Sequence, residues 1–128
     1  MPKPYDNTRF SFSARLRSFR YAARGIVALI RDEHNARIHL LAAMLAVAFS
    51  LWLRISPVEW CIIVILIGAV FALEAVNSAI EALADKISPD FSPLIKKAKD
   101  IAAAAVLFMA IAAVIIAAII FIPKLLAL

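Results

Sequence analysis

Four polar side chains interrupt a long apolar segment at intervals of three or four residues: Glu74, Asn77, Glu81 and Asp85. An α-helix turns by about 100° per residue, so in a helix they would share a strip about 80° wide on one face. We call these four residues the polar stripe. Its three carboxylates would repel one another unless a cation joined them, and Mg²⁺ prefers such oxygen ligands. The spacing therefore predicts a magnesium-dependent site on one helix face.

The alternative is that the polar stripe is the solvated face of an ordinary amphipathic helix. Residues 60–73, which precede it, are all apolar apart from Gly68, so Glu74 would lie near the edge of the hydrocarbon region of a membrane. An ionisable group at the bilayer centre costs on the order of a few kcal/mol and indicates a functional role. We therefore favour a chemical role for the polar stripe.

The composition assigns the chain to the all-α integral membrane proteins. Of its 128 residues, 65% are hydrophobic and only 2 are glycine, which is typical of a helical membrane protein. This length suits one domain with three transmembrane spans. We expect a flexible tail over residues 1–9 and a single membrane domain over residues 10–128. Cys61 lies within an apolar run, and we expect it to pack against lipid or against another helix.

Helical periodicity predicts a basic amphipathic helix at about residues 10–31, with apolar side chains on one side and arginines on the other. Such a helix suits the headgroup layer of anionic lipid, while packing against another protein helix remains the alternative. We expect no nucleic-acid partner, because the rest of the chain is apolar. Three spans are predicted at about residues 38–55, 58–87 and 94–122, with Pro123 ending the last.

The distribution of positive charge predicts the orientation of the spans. Residues 1–37 contain eight Lys and Arg and residues 86–99 contain four, whereas Arg54 and Lys124 are the two on the opposite side. Because cytoplasmic loops carry the excess of positive charge, this ratio of twelve to two places the N-terminus and the second connection in the cytoplasm. The polar stripe and Lys99 then share the side on which ATP is available.

A nucleotide would have to be held here without a phosphate-binding loop. The chain has only Gly25 and Gly68, each within a helical pattern, so neither a Walker loop nor a dinucleotide fingerprint can be built. Phosphoryl transfer needs a metal on the phosphate oxygens, a cation, and a carboxylate that takes the proton of the attacking hydroxyl. The polar stripe, with Glu33 before the first span, would present these groups to a lipid headgroup.

The same residues resemble a known family, the small bacterial integral-membrane lipid kinases that include diacylglycerol kinase and undecaprenol kinase. The likeness runs from about residue 15 to residue 123. It rests on EAVNSAIEA at 74–82 followed by Asp85, on AKD at 98–100 and on AVL at 105–107. The resemblance implies a homotrimer in the bacterial cytoplasmic membrane, each subunit with three transmembrane helices and an N-terminal surface helix.

The resemblance also implies a reaction, the phosphorylation of a lipid alcohol by ATP with Mg²⁺. Glu74 would be the general base, Asn77 would fix the site, and Glu33 and Glu81 would hold the Mg²⁺ of MgATP and contact the nucleotide. Further ATP contacts would come from Tyr21, Asp90, Phe91, Ser92, Lys99 and Asp100, with the lysine as the phosphate cation. Family members commonly have a histidine before the proline where this chain has a serine at position 92.

Two segments favour undecaprenol over diacylglycerol as the lipid. EHNARIH at 33–39 and PKL at 123–125 resemble the undecaprenol-kinase branch more than the diacylglycerol-kinase branch. Both lipids offer a primary hydroxyl at the membrane surface, and the Ala, Leu, Ile and Val of the lipid-facing surface encode little. Diacylglycerol therefore remains the alternative substrate.

Intramembrane carboxylates also suit two other classes of protein: a small ion- or proton-conducting oligomer, and a non-catalytic subunit that uses the polar stripe for assembly. Against conduction, the carboxylates cluster towards one end of one span, and residues 101–122 include no polar side chain. Against a non-catalytic subunit, every position that the chemistry needs is filled. The sequence therefore favours the lipid kinase.

Overall fold

The computed structural model describes residues 9–128 and contains four α-helices. They are α1 (Phe12–Asp32), α2 (His34–Trp52), α3 (Pro57–Ile87) and α4 (Pro93–Leu126). The last three are long and apolar enough to cross a membrane, which confirms the predicted all-helical class and number of spans. The predicted tail at residues 1–9 lies outside the described residues, apart from the exposed Arg9.

The local sequence explains where two of these helices begin. The hydroxyl of Ser11 accepts a hydrogen bond from the backbone N–H of Ala14 (3.3 Å) at the start of α1. At the start of α3, Ser56 accepts from the N–H of Glu59 (3.2 Å), and Pro57 occupies the first helical position, where its missing N–H is not needed. Each serine pairs with an N–H group that the helix itself leaves without a partner.

A single extended residue, Glu33, separates α1 from α2 (φ −110°, ψ 117°). Arg37, in the first turn of α2, donates hydrogen bonds to the carbonyl oxygens of Ile30 (2.9 Å) and Arg31 at the end of α1. Carbonyl groups at a helix end lack partners within the helix, so the guanidinium caps α1 and fixes the position of Glu33. This cap lets the chain resume as a helix at once, and α2 begins before the predicted start at residue 38.

The helix α3 lies at the centre of the bundle, packing mainly on α4 and also on α1 and α2. Its buried residues are Ile63, Leu66, Val70, Glu74, Asn77 and Ala84. They recur at intervals of three, four or seven positions, as expected for one face of a helix that contacts its neighbours. The polar stripe therefore begins on the packing face of α3, directly after three apolar core residues.

The prediction that Pro123 ends the last helix is wrong, since α4 continues to Leu126. A proline near a helix end removes only one hydrogen bond, and the N–H of Ala127 still donates to the carbonyl of Pro123 (3.2 Å). The continuation places Nζ of Lys124 3.4 Å from Oε1 of Glu59 at the start of α3. This ion pair joins α3 and α4 at the end of the bundle far from Glu33.

Arg54, in the turn between α2 and α3, is the one non-glycine residue with a positive φ (51°) among the described residues. This left-handed conformation costs an L-residue about 1–2 kcal/mol, is worst for β-branched side chains and is readily adopted by glycine. We expect Arg54→Gly to keep or raise the thermal unfolding midpoint in detergent, and Arg54→Val to lower it. A lower midpoint for the glycine variant than for the valine variant would contradict this backbone cause.

Candidate active site

The polar stripe runs from the core of the bundle to its surface. Glu74 is 1% exposed and Asn77 is 6% exposed, whereas Glu81 is half-buried and Asp85 is exposed. The four residues share a face of α3 but lie in different environments. A carboxylate as buried as Glu74 is costly unless it is paired or binds a ligand. The buried end of the polar stripe is therefore the candidate reactive centre.

Three buried polar atoms on consecutive turns of α3 make no hydrogen bond within residues 9–128: Oε2 of Glu74, Oδ1 of Asn77 and Oγ of Ser78. Buried polar atoms are nearly always paired. All three can accept a hydrogen bond, and the serine hydroxyl can also donate one. They therefore fit a ligand that brings a hydroxyl group, or water held by a metal, to this part of α3.

Titratable groups from three segments face the Glu74 carboxylate. Nε2 of His39, on α2, lies 3.7 Å from its Oε2. Glu33, at the junction of α1 and α2, and Glu81, further along α3, are close enough to repel its negative charge. The fold thus brings three acidic side chains from two segments to one region and places a histidine against the most buried of them.

The side chains of Glu33 and Glu81 fit Mg²⁺ in kind. In nucleotide sites this ion is held by one or two carboxylates together with water and the substrate's phosphates. No group of three or more His, Cys, Asp and Glu side chains between residues 9 and 128 is arranged to hold a metal by itself. A metal shared between these two carboxylates and a nucleotide requires no third protein ligand.

Lys99 joins α4 to the exposed end of the polar stripe. Its Nζ donates a hydrogen bond to Oδ1 of Asp85 (2.8 Å), and Glu81 lies near enough to attract it. Asp100 pairs instead with Lys96, one turn earlier on α4 (2.5 Å). Ion pairs as exposed as these add little to stability, so Lys99 can exchange its carboxylate partner for a phosphate at small cost.

An open groove of about 400 Å³ lies between α1 and α3 and reaches Glu33. The small side chains of Ala75 and Ser78 form part of its wall. Asp32 adds a second carboxylate, and the hydrogen bond from Arg31 lowers the pKa of Asp32, so Asp32 is ionised at neutral pH. The groove is open and most of its wall is apolar, but its two carboxylates suit a nucleotide that carries a divalent cation, and we call it the acidic groove.

The other residues expected to contact ATP do not line this groove. Tyr21 is exposed on α1. Phe91 and Asp100 line a different cavity, of about 380 Å³, at the start of α4. Ser92 precedes α4 and forms no side-chain cap there. Within one chain, Phe91 and Asp100 therefore line a different cavity from Glu33, whereas Tyr21 lies one turn from Gly25 in the wall of the Glu33 groove.

A second groove, about 300 Å³ in volume, lies within the bundle between α2, α3 and α4. Its walls are apolar, among them Ala43, Val70 and Ala113, and His39 is the one polar residue that lines it. Val70 is one turn before Glu74 on α3, whereas Ala75 and Ser78 line the acidic groove. Glu74 itself lines neither groove, but its neighbours on α3 line both.

These features define a helical protein with three candidate membrane spans and a buried carboxylate close to two grooves. Residues 20–121 match the family model of prokaryotic diacylglycerol kinase. The chain is 43% identical over 109 residues to an undecaprenol kinase of Bacillus subtilis (strain 168), an alignment that covers 85% of this chain and 89% of the relative. It is 32% identical to a diacylglycerol kinase of Escherichia coli (strain K12), with the same coverage.

The chain therefore belongs to the prokaryotic diacylglycerol kinase family, and it is a lipid kinase. This confirms the resemblance and the predicted class of enzyme. It also assigns the three apolar helices to a membrane protein.

The sequence alone assigns no role in the active site to His39 or Ser78. The contact of His39 with Glu74 joins two helices, so no spacing within one segment predicts it. Ser78 directly follows Asn77, but its hydroxyl becomes notable only because it is buried without a partner among the described residues. Both residues emerge from the packing of α3 against its neighbours.

Proposed function

We propose that this lipid kinase transfers the γ-phosphoryl group of ATP, with Mg²⁺, to the hydroxyl of undecaprenol at the cytoplasmic surface of the membrane. The observation that carries the proposal is Glu74, whose buried Oε2 accepts no hydrogen bond from residues 9–128 and whose neighbours on α3 line both the acidic and the apolar groove. A general base must reach the proton of the attacking hydroxyl. A lipid alcohol whose chain occupies the apolar groove would present its hydroxyl to this oxygen.

The remaining side chains supply binding and orientation in this proposal. Glu33 and Glu81 hold the metal, and Lys99 leaves Asp85 to contact a phosphate. Bound Mg²⁺ offsets the negative charge of the phosphoryl oxygens. Asn77 offers its unpaired Oδ1 to the hydroxyl or to metal-bound water and so fixes the acceptor next to Glu74.

The outer ATP contacts come from Tyr21, Phe91, Asp100 and the flanking Asp90 and Ser92 in the same proposal. Phe91 and Tyr21 are exposed aromatic side chains that can stack on a base, and Asp100 lies on the same α4 segment as Lys99. Because Phe91 and Asp100 line a different cavity from Glu33, a nucleotide that touched all three would have to bridge the two cavities or contact two subunits.

Undecaprenol is favoured over diacylglycerol by two observations. The undecaprenol kinase of Bacillus subtilis is 43% identical to this chain and the diacylglycerol kinase of Escherichia coli is 32% identical, over alignments of equal length. The segments at 33–39 and 123–125 also resemble the undecaprenol-kinase branch. Diacylglycerol, which offers the same primary hydroxyl, is the second candidate.

The proposed setting is the bacterial inner membrane, with α1 and the α3–α4 connection in the cytoplasm. The twelve Lys and Arg on that side, against two on the other, support this orientation. No residue of α1 is buried, and its exposed Phe12, Leu16 and Phe19 suit a helix lying in the headgroup layer. The homotrimer is proposed from the resemblance to the family.

The direct test measures transfer of the γ-phosphate of ATP to undecaprenol and to diacylglycerol in parallel, in detergent micelles with Mg²⁺. We expect transfer to both to depend on Glu74 and kcat/KM to be higher for undecaprenol. A higher value for diacylglycerol would reverse the order of substrates. Transfer to neither lipid would reject both substrates and direct the assay to other lipid alcohols.

A substitution in the apolar groove tests where the lipid chain lies. Ala113→Phe would fill much of the space between α2 and α4, and overfilling a packed site costs typically about 1–3 kcal/mol, or about tenfold or more in affinity. We therefore expect a rise of about tenfold in KM for the lipid, with KM for ATP unchanged. Ala103→Phe, at an exposed position of the same helix, is the matched control. Equal values of KM for the lipid in the two variants would exclude this groove as the site of the lipid chain.

A further inference from the structure

His39 lies where the buried carboxylate and the apolar groove meet. Its Nε2 is 3.7 Å from Oε2 of Glu74, and its side chain is 21% exposed, against 2% for the Glu74 side chain. Its ring also lines the groove formed by α2, α3 and α4. Of these two side chains, His39 is therefore the more accessible.

The other titratable groups that face this pair differ from His39 in charge or in position. Glu33, from the junction of α1 and α2, and Glu81, from α3, carry negative charge and repel that of Glu74. On α4, Lys99 donates its hydrogen bond to Asp85. Among the residues that the structure describes, His39 is thus the basic group that faces Glu74 directly.

We propose that His39 is a positioning residue that orients the Glu74 carboxylate and removes from it the proton taken from the lipid alcohol. The inference rests on the proposed role of Glu74 as the base. A neutral imidazole can accept a proton from a carboxylic acid, whereas an imidazolium cannot. The separation of 3.7 Å closes by a small side-chain rotation or by one water, as catalytic contacts commonly do on substrate binding.

Each transfer of a phosphoryl group to the lipid alcohol releases one proton. The alcohol oxygen forms a bond to the γ-phosphorus while the bond from that phosphorus to the bridging oxygen of ADP breaks, and ADP keeps the electron pair. The hydroxyl proton passes to Glu74 and then to Nε2 of neutral His39. The imidazolium that results passes the proton on to water, which leaves Glu74 ionised for the next lipid.

The test compares His39→Gln with the wild-type enzyme from pH 5.5 to 8.5. Glutamine keeps an N–H donor that can face Glu74 but cannot accept the proton at these pH values. We expect kcat to fall by about tenfold to a hundredfold, towards the low end of general acid–base effects, with both KM values within about threefold of wild type. Wild-type kcat should rise with pH over this range, because only a neutral imidazole accepts the proton, and this rise should be absent in the variant.

Chemical rescue separates the proton-transfer role from a structural one. In His39→Ala, added imidazole should restore part of kcat, and the rescue should increase with pH as the imidazole becomes neutral. His34→Gln, which removes the other histidine of the chain at an exposed position on α2, should retain wild-type kcat and pH dependence. Thermal midpoints in detergent establish that each variant is folded. If His39→Ala does not fold, the pH dependence of His39→Gln tests the proposal without it.

Two results would overturn the inference: wild-type kcat and pH dependence in His39→Gln, or a loss confined to KM without rescue of kcat by imidazole. The Glu74→Gln variant distinguishes failure of this inference from failure of the proposed function. If Glu74→Gln is inactive while His39→Gln behaves as wild type, only the role of His39 is wrong. If Glu74→Gln retains full activity, the assignment of the base is wrong and the role of His39 falls with it.

Discussion

Glu74→Gln is expected to lower kcat for lipid phosphorylation by about 10²–10⁴-fold, the range of general acid–base catalysis. The amide has nearly the shape of the carboxylate, so it still fills the buried site where Glu74 is 1% exposed. It cannot accept a proton from the lipid hydroxyl. The loss should therefore appear in kcat, with KM for ATP nearly unchanged, because the acidic groove that contains Glu33 is intact.

The same substitution should leave the protein as stable as the wild type or more stable. Burial of an ionised carboxylate without full pairing is unfavourable, and Glu33 and Glu81 add repulsion. A higher thermal midpoint together with lost activity would identify Glu74 as a residue kept for function at the expense of stability.

Glu59→Gln provides the matched control, because Glu59 is also a partly buried carboxylate of α3 and pairs with Lys124 at the other end of the bundle. This variant should lose a little stability and keep its kcat. Equal activities of Glu74→Gln and Glu59→Gln would remove Glu74 from the mechanism.

The helices of this chain could be predicted from the sequence because apolar periodicity and length are local properties. Their ends were harder to predict, for two physical reasons. The break at Glu33 depends on Arg37 reaching back to the end of α1, a contact between helices. The continuation of α4 past Pro123 depends on how little one missing hydrogen bond costs near a helix terminus.

For the site too, the sequence predicts the features that depend on one helix but not those that depend on contacts between helices. Spacing along α3 predicts that Glu74, Asn77 and Glu81 share a face, because the helix period alone determines it. Spacing does not predict that this face passes from the core to the surface, since that depends on where α4 and α2 cover α3. The contact of His39 with Glu74 and the apolar groove beside it likewise require the packed bundle.

Removal of Mg²⁺ with a chelator is expected to abolish transfer of phosphate to lipid, and added Mg²⁺ should restore it. Lys99 brings one positive charge to the region of the polar stripe, where Glu33, Glu74, Glu81 and Asp85 bring four negative ones. A nucleotide triphosphate would add further negative charge, so ATP could not approach Glu33 and Glu81 without a cation that offsets this repulsion. The measurement is the initial rate at a fixed ATP concentration as free Mg²⁺ is varied.

Substitution of either proposed ligand should shift this Mg²⁺ dependence. In Glu33→Gln and in Glu81→Gln we expect the Mg²⁺ concentration for half-maximal rate to rise by about tenfold or more, because an amide oxygen replaces a charged ligand of a weakly held metal. Glu59→Gln, far from the acidic groove, should leave the concentration unchanged. The contrary result would be a loss of kcat in both ligand variants with the wild-type Mg²⁺ dependence. These carboxylates would then act on the nucleotide or on Glu74 through charge alone, and the phosphates would hold the metal without them.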